Sequence, residues 1–140
     1  EASSRNGGVC LGLITLKELD ETRQRYGDDI VDEIAISLYR RISRTIRPTD
    51  IVARLSDNRF GILIRHSENS EFTAASAQRI MSMIDNRDFK TEAGNITLHG
   101  AIGVHYYHNT DELLSPEAMI SQAANKLELA LANDAQSIAF

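Results

Sequence analysis

Apolar and polar positions along this chain follow two different periods, and the changes between them mark out its elements. Residues 9–16 (Val9, Cys10, Leu11, Gly12, Leu13, Ile14, Thr15, Leu16) are apolar on both parities. That pattern predicts a central strand covered on both faces. Residues 17–26 read as a short polar helix that Gly27 can stop. From about 28 to 46, Ile30, Ile34, Leu38, Ile42 and Ile46 recur every four residues, flanked by Val31 and Ala35. This single stripe predicts a long amphipathic helix, and Pro48 prevents its continuation. Two short β-prone runs, 51–55 and 60–65, enclose the turn formers Ser56, Asp57, Asn58 and Arg59, which predicts a hairpin. A third helix is expected over 70–84. One long strand is expected over 95–107, where Ile96, Leu98, Gly100, Ile102, Val104 and Tyr106 share a parity. Ser115-Pro116-Glu117 is a helix start, with Ser as N-cap and Pro in the first turn, and the helix is expected to run to about 132. Residues 137–140 close the chain as a last strand. The order contains β-α-β-β-α-β, so the expected class is α+β with a ferredoxin-like core.

With 140 residues the chain fits one domain with a proper core. The apolar fraction is 42%, with eight Gly and two Pro, which excludes a disordered or fibrous chain. No apolar run is long enough to span a membrane as a helix. The net charge of −5 argues against sequence-independent binding of nucleic acid. The single Cys10 forms no internal disulfide, which suits a reducing, cytoplasmic setting. Residues 1–8 are small and polar and read as a linker, so residues 9–140 are expected to be one domain of a longer protein.

Few residues suggest chemistry directly. His99 and His105 lie about 20 Å apart along an extended strand, too far to share one metal ion. Cys10 reads as a small buried hydrophobe. Asp28, Asp29, Asp32 and Glu33 begin the long helix, and Arg40, Arg41, Arg44 and Arg47 end it, as the helix dipole favours. No metal and no cofactor are expected.

The run from Arg47 to Ile64 (RPTDIVARLSDNRFGILI) resembles the centre of a GGDEF domain, the diguanylate cyclase family, which reads R-x-x-D, five residues, G-G-D/E-E-F and an apolar strand. Leu13 to Asp32 resembles the family's D-x-D-x-F-K-x-x-N-D block. Ala77-Gln78-Arg79-Ile80, Ala101-Ile102-Gly103-Val104 and Ala124-Asn125-Lys126 resemble three further blocks in the right order. The resemblance covers about residues 9–140. It implies a palm-type βαββαβ core whose mostly antiparallel central sheet is flanked by helices.

The departures fall on the substrate site. Members of the family join two GTP molecules into cyclic di-GMP with two divalent ions, which need hard anionic oxygens. The resemblance places the metal-binding acids at Thr15 and Asn58, the early motif's second Asp at Lys17, and the signature's Glu at Arg59. Four acids have become two neutral and two basic residues, a local charge change of +6, of which Asp20 returns −2. The guanine-binding Asn falls at Arg23, although its partner is present as Asp32. The phosphate-holding Lys and Arg fall at Ala132 and Gln136. The first two glycines of the signature fall at Ser56 and Asp57. The resemblance therefore implies a degenerate domain without cyclase activity.

One family feature is retained. The inhibitory R-x-x-D site corresponds to Arg47 and Asp50, with Arg79 of the next helix as a third member. Arg can fork onto phosphate or the guanine O6/N7 edge, and a carboxylate accepts from guanine N1–H and N2–H. The implied function is a regulatory domain that binds cyclic di-GMP there. Its expected partners are sensory and EAL-type domains of the same chain and a second copy in a homodimer, with neither nucleic acid nor membrane in contact. Two alternatives stand beside this reading. One is a nucleotide-free scaffold or dimerisation module. The other is a metal-free anion site built from Lys17, Arg23 and Arg59.

Overall fold

The computed structural model describes residues 8–56, 58–66, 70–108, 115–132 and 138–140. The chain runs β1 (Gly8–Leu16), α1 (Leu19–Tyr26), α2 (Asp28–Thr45), β2 (Ile51–Ser56), β3 (Arg59–His66), α3 (Ser70–Ile84), β4 (Arg87–Thr91), β5 (Gly94–Leu98), β6 (Gly100–His108), α4 (Pro116–Ala132) and β7 (Ile138–Ala139). The main sheet has the order β2-β3-β1-β6-β7, antiparallel except for the β6–β7 pair. This is the α+β architecture expected from the element order.

β1 lies at the centre, and its two parities face two layers of helix. Cys10, Ile14 and Leu16 join Phe60, Ile62, Ile102 and Val104 under α2 and α3, where the stripe Ile30, Ile34, Leu38 and Ile42 is buried. On the opposite face Leu13 and Ala101 pack beneath Ala123, Leu127 and Ala130 of α4. The thiol of Cys10 sits in the first of these cores. α4 approaches β6 so closely at Gly103 that a Cβ there would stand 2.0 Å from the Leu127 backbone nitrogen. Gly27 joins α1 to α2 at φ 93°, a backbone state that side chains disfavour. Ser115 caps α4 as expected, its Oγ accepting the Ala118 N–H at 3.1 Å.

The expected single strand over 95–107 is two strands in two sheets. β5 pairs with β4 in a separate hairpin, and β6 enters the main sheet. The break falls at His99, whose N–H donates to Glu18 Oε1 at 2.8 Å and whose carbonyl accepts the Lys17 N–H at 2.8 Å. The next amide, Gly100 N–H, goes to Asp85 Oδ1 at 2.9 Å. β4 was not expected at all; only Phe89 of its five residues is buried.

Candidate functional site

Two neighbourhoods contain the residues singled out in the sequence. The first surrounds the β2–β3 turn. β1 carries Thr15 to the edge of the core, where it is 6% exposed. Its hydroxyl donates to the Asn58 backbone carbonyl. The Asn58 side-chain oxygen accepts from Ser56 Oγ at 3.1 Å. Thr15 and Asn58 are thus brought together, as the resemblance requires of two metal ligands. They meet through the Thr15 hydroxyl and the Asn58 backbone carbonyl, and neither side chain carries a carboxylate. A divalent ion wants anionic oxygens at about 2.0–2.6 Å, and this donor set does not fit one. Among the described residues no group of three or more His, Cys, Asp and Glu is arranged to hold a metal ion.

Two of the basic residues here, Arg23 and Arg59, are neutralised from within. Arg23 Nε lies 3.0 Å from Asp28 Oδ1, and Arg23 Nη1 lies 3.5 Å from Asp20 Oδ1. Arg59 reaches Glu128 of α4 at 3.1 Å. Asp32, placed by the resemblance at the guanine edge, is met by Arg54 at 3.6 Å. These pairs are at least partly exposed and contribute little stability each. Their effect is on charge: the carboxylates and guanidinium groups that could meet a nucleotide meet each other. The metal-free anion reading built on Arg23 and Arg59 is weakened accordingly, and only Lys17 of that trio has no ion pair among the described residues. Asp57 and Gln136 lie outside the described residues. Ala132 ends α4, where it offers phosphate nothing but a methyl group. Sequence reasoning missed Glu128 and Arg54 as partners. No local pattern could reveal the Arg59–Glu128 pair, which spans 69 positions.

The second neighbourhood lies where α2 passes into β2. Pro48 and the β-region conformation of Ile46 (φ −97°, ψ 163°) end the helix, and a turn follows. The Asp50 N–H donates to the Arg47 carbonyl at 2.9 Å, and Asp50 Oδ2 accepts the Arg47 N–H at 2.9 Å. The Arg47 Nε stands 3.5 Å from the same oxygen. The Asp50 side chain is only 3% exposed, and its Oδ1 is buried with no hydrogen-bond partner. A buried carboxylate oxygen without a donor is costly. A concavity of about 420 Å³ opens beside it, lined by Tyr39, Ser43, Arg47, Asp50 and apolar neighbours including Ile51. Tyr39 and Ser43 escaped the sequence reading, although their four-residue spacing puts both along one side of α2, just before the turn that carries Arg47. Arg79 is exposed on α3 and lies outside this lining.

His99 is engaged elsewhere, its Nδ1 2.6 Å from Glu18 Oε2. No helix among the described residues is long and apolar enough to cross a membrane.

Comparisons with known proteins agree on one family. Residues 1–137 match the family model described as diguanylate cyclase, GGDEF domain. The chain is 21% identical over 126 residues to the probable diguanylate cyclase DgcT of Escherichia coli, covering 90% of this chain and 28% of that protein. Among solved structures, the GGDEF domain of YfiN (also called TpbB) from Pseudomonas aeruginosa superimposes with a TM-score of 0.84 at 18% identity, over 99% of this chain and 86% of that one. The GGDEF domain of DgcB from Caulobacter crescentus, solved in complex with c-di-GMP, gives 0.81 at 15% identity, over 99% and 81%. At these identities the structures speak for the fold alone.

Proposed function

The chain belongs to the diguanylate cyclase GGDEF-domain family, and from that premise we propose that it is a catalytically inactive regulatory domain which binds cyclic di-GMP at the turn of Arg47 and Asp50. The observation that carries the binding half is the buried, unpartnered Oδ1 of Asp50 beside a concavity that Arg47 also lines. A guanine presents adjacent N1–H and N2–H donors, which suit that oxygen. In this reading Arg47, with 45% of its side chain exposed, turns its fork toward phosphate or the O6/N7 edge while the backbone keeps the turn closed. Arg79 enters this reading as an outer phosphate contact on α3.

The inactive half is supported by Thr15 and Asn58, which offer no carboxylate to a metal ion, and by the internal pairing of Arg23 and Arg59. In this reading the domain is cytoplasmic and regulates sensory or EAL-type neighbours in the same chain. In this reading the domain takes in Gly8, the first residue of β1, and the linker is confined to residues 1–7. Calorimetric titration with cyclic di-GMP tests it. Binding that weakens in Arg47→Ala, and that persists in Thr15→Ala and Asn58→Ala, is the expected result. No heat at tens of micromolar ligand leaves the scaffold or dimerisation module as the better account.

A further inference from the structure

The strongest feature outside both neighbourhoods is a basic strip between α2 and the β4–β5 hairpin. Two adjoining concavities of about 530 and 700 Å³ share Arg41, Arg44 and Asp88 in their linings. Arg87 is added on one side, Arg40 and Lys90 on the other. Five cationic side chains thus meet two carboxylates, Asp88 and Glu33, for a net of +3 on a chain whose total is −5.

The helix dipole accounts for arginines at the end of α2. It does not account for Arg87 and Lys90, which come from a different element. The chain also does little to neutralise the strip. Arg40, Arg44, Arg87 and Lys90 make no ion pair among the described residues. The two acids are occupied otherwise: Asp88 Oδ1 accepts from Thr97 Oγ1, and Glu33 Oε1 accepts the Glu92 N–H at 3.2 Å. Arg87 Nε donates to the Ser82 carbonyl at 3.0 Å, and Arg41 has the larger structural task. Its guanidinium covers the Phe89 ring at 4.0 Å and donates to the Asp88 carbonyl at 2.5 Å. Burial first, then the charges of Arg87 and Arg44, push its pKa below the ordinary value. The Asp88 carboxylate acts in the opposite direction without cancelling the shift.

The form of the strip narrows the ligand. Ile36 to Arg44 spans eight residues of helix, about 12 Å, and Arg87 to Lys90 runs about 10 Å along β4. An exposed apolar side chain stands at each end, Ile36 in one concavity and Met83 in the other, 51% and 37% exposed. No aromatic side chain is among the residues lining either concavity, and Phe89 is buried beneath Arg41, so the strip offers no ring for a base to stack on. We propose that this strip is a docking site for an acidic polypeptide segment, its carboxylates on Arg40, Arg44, Arg87 and Lys90 and its flanking apolar side chains on Ile36 and Met83. Recognition of this kind uses long-range charge for encounter and guanidinium forks for register. It is independent of the nucleotide site at Asp50.

The test is fluorescence anisotropy on the whole chain with a labelled peptide of four Glu between two Leu, against the same peptide with four Gln. The Glu peptide is expected to bind, and to weaken as salt rises from about 50 to about 200 mM. Arg40→Glu and Lys90→Glu are each expected to weaken it about five-fold or more, whereas Arg25→Glu, with the same change in net charge, leaves it within about two-fold. Ile36→Ser is expected to weaken it about three-fold. Melting curves establish that each variant folds, and Arg40→Gln and Lys90→Gln replace any charge inversion that does not. Equal binding of the Gln peptide, equal loss in Arg25→Glu, or no binding at 50 mM salt overturns the proposal. So does tighter binding of tripolyphosphate with Ile36→Ser silent, which identifies a small-anion site instead.

Discussion

Asp50 is asked to do two things, and a pair of substitutions separates them. Its Oδ2 closes the turn by accepting the Arg47 N–H at 2.9 Å, while its buried Oδ1 has no hydrogen-bond partner and is, in the proposed function, the atom that meets the ligand. Asp50→Ala removes both oxygens and leaves the Arg47 N–H without its acceptor. A hydrogen bond to a charged group is worth roughly 1.5–3 kcal/mol, and the stranded oxygen already costs part of that gain. The net loss expected is therefore about 1–2 kcal/mol, or a fall of about 3–7 °C in Tm for a chain of this size. Asp50→Asn keeps an acceptor for the Arg47 N–H and should hold stability within about 0.5 kcal/mol. It removes the negative charge and one acceptor from the ligand side, so cyclic di-GMP binding should fall about ten-fold or more. Urea unfolding reads the first effect and calorimetric titration the second. If Asp50→Ala melts with the parent protein, the turn does not depend on this carboxylate. If Asp50→Asn binds as tightly as the parent, Oδ1 is not the recognition atom.

Three further outcomes follow from the same structure. Incubation with GTP and Mg²⁺ or Mn²⁺ should yield no cyclic di-GMP by chromatography, because Thr15 and Asn58 bring no carboxylate to a metal; product that scales with protein and disappears on chelation refutes this. Gly103→Ala should cost about 3 kcal/mol or more in chemical denaturation, since its methyl group must displace the α4 backbone at Leu127 rather than a flexible side chain, and an unchanged midpoint would mean that α4 moves freely. Tyr107, which donates to the Met119 carbonyl at 2.9 Å, has its pKa raised by burial above the ordinary 10.0. A raised value in the folded state means full stability below the unfolded phenol's pKa and progressive loss as pH climbs past it, so unfolding free energy should decline above about pH 10 and decline less in Tyr107→Phe.

The elements that could be read from the residues are those whose signal is local. α2 declares itself through Ile30, Ile34, Leu38 and Ile42, because a repeat of four suits only one backbone with one buried face. β1 does so through apolar residues on both parities, which only a strand covered on two faces needs. The start of α4 lies in three consecutive residues. That Thr15 and Asn58 carry no carboxylate is likewise a matter of residue identity. What the tertiary structure alone decided depends on groups far apart in the chain. The alternation through His99 is equally correct for one long strand and for two, and Glu18, 81 positions away, makes the break by taking the His99 amide. β4 is nearly all polar, and it becomes a strand because Phe89 finds a place beneath Arg41. Arg59 reads as a free base until Glu128 reaches it from α4. Asp50 reads as an ordinary turn residue, and only the packing around it buries its carboxylate and leaves one oxygen without a donor. Periodicity carries the identity of the covered faces, because burial of a face repeats with the backbone. It carries nothing about which charged groups meet across the fold, because those meetings happen once and leave no repeat.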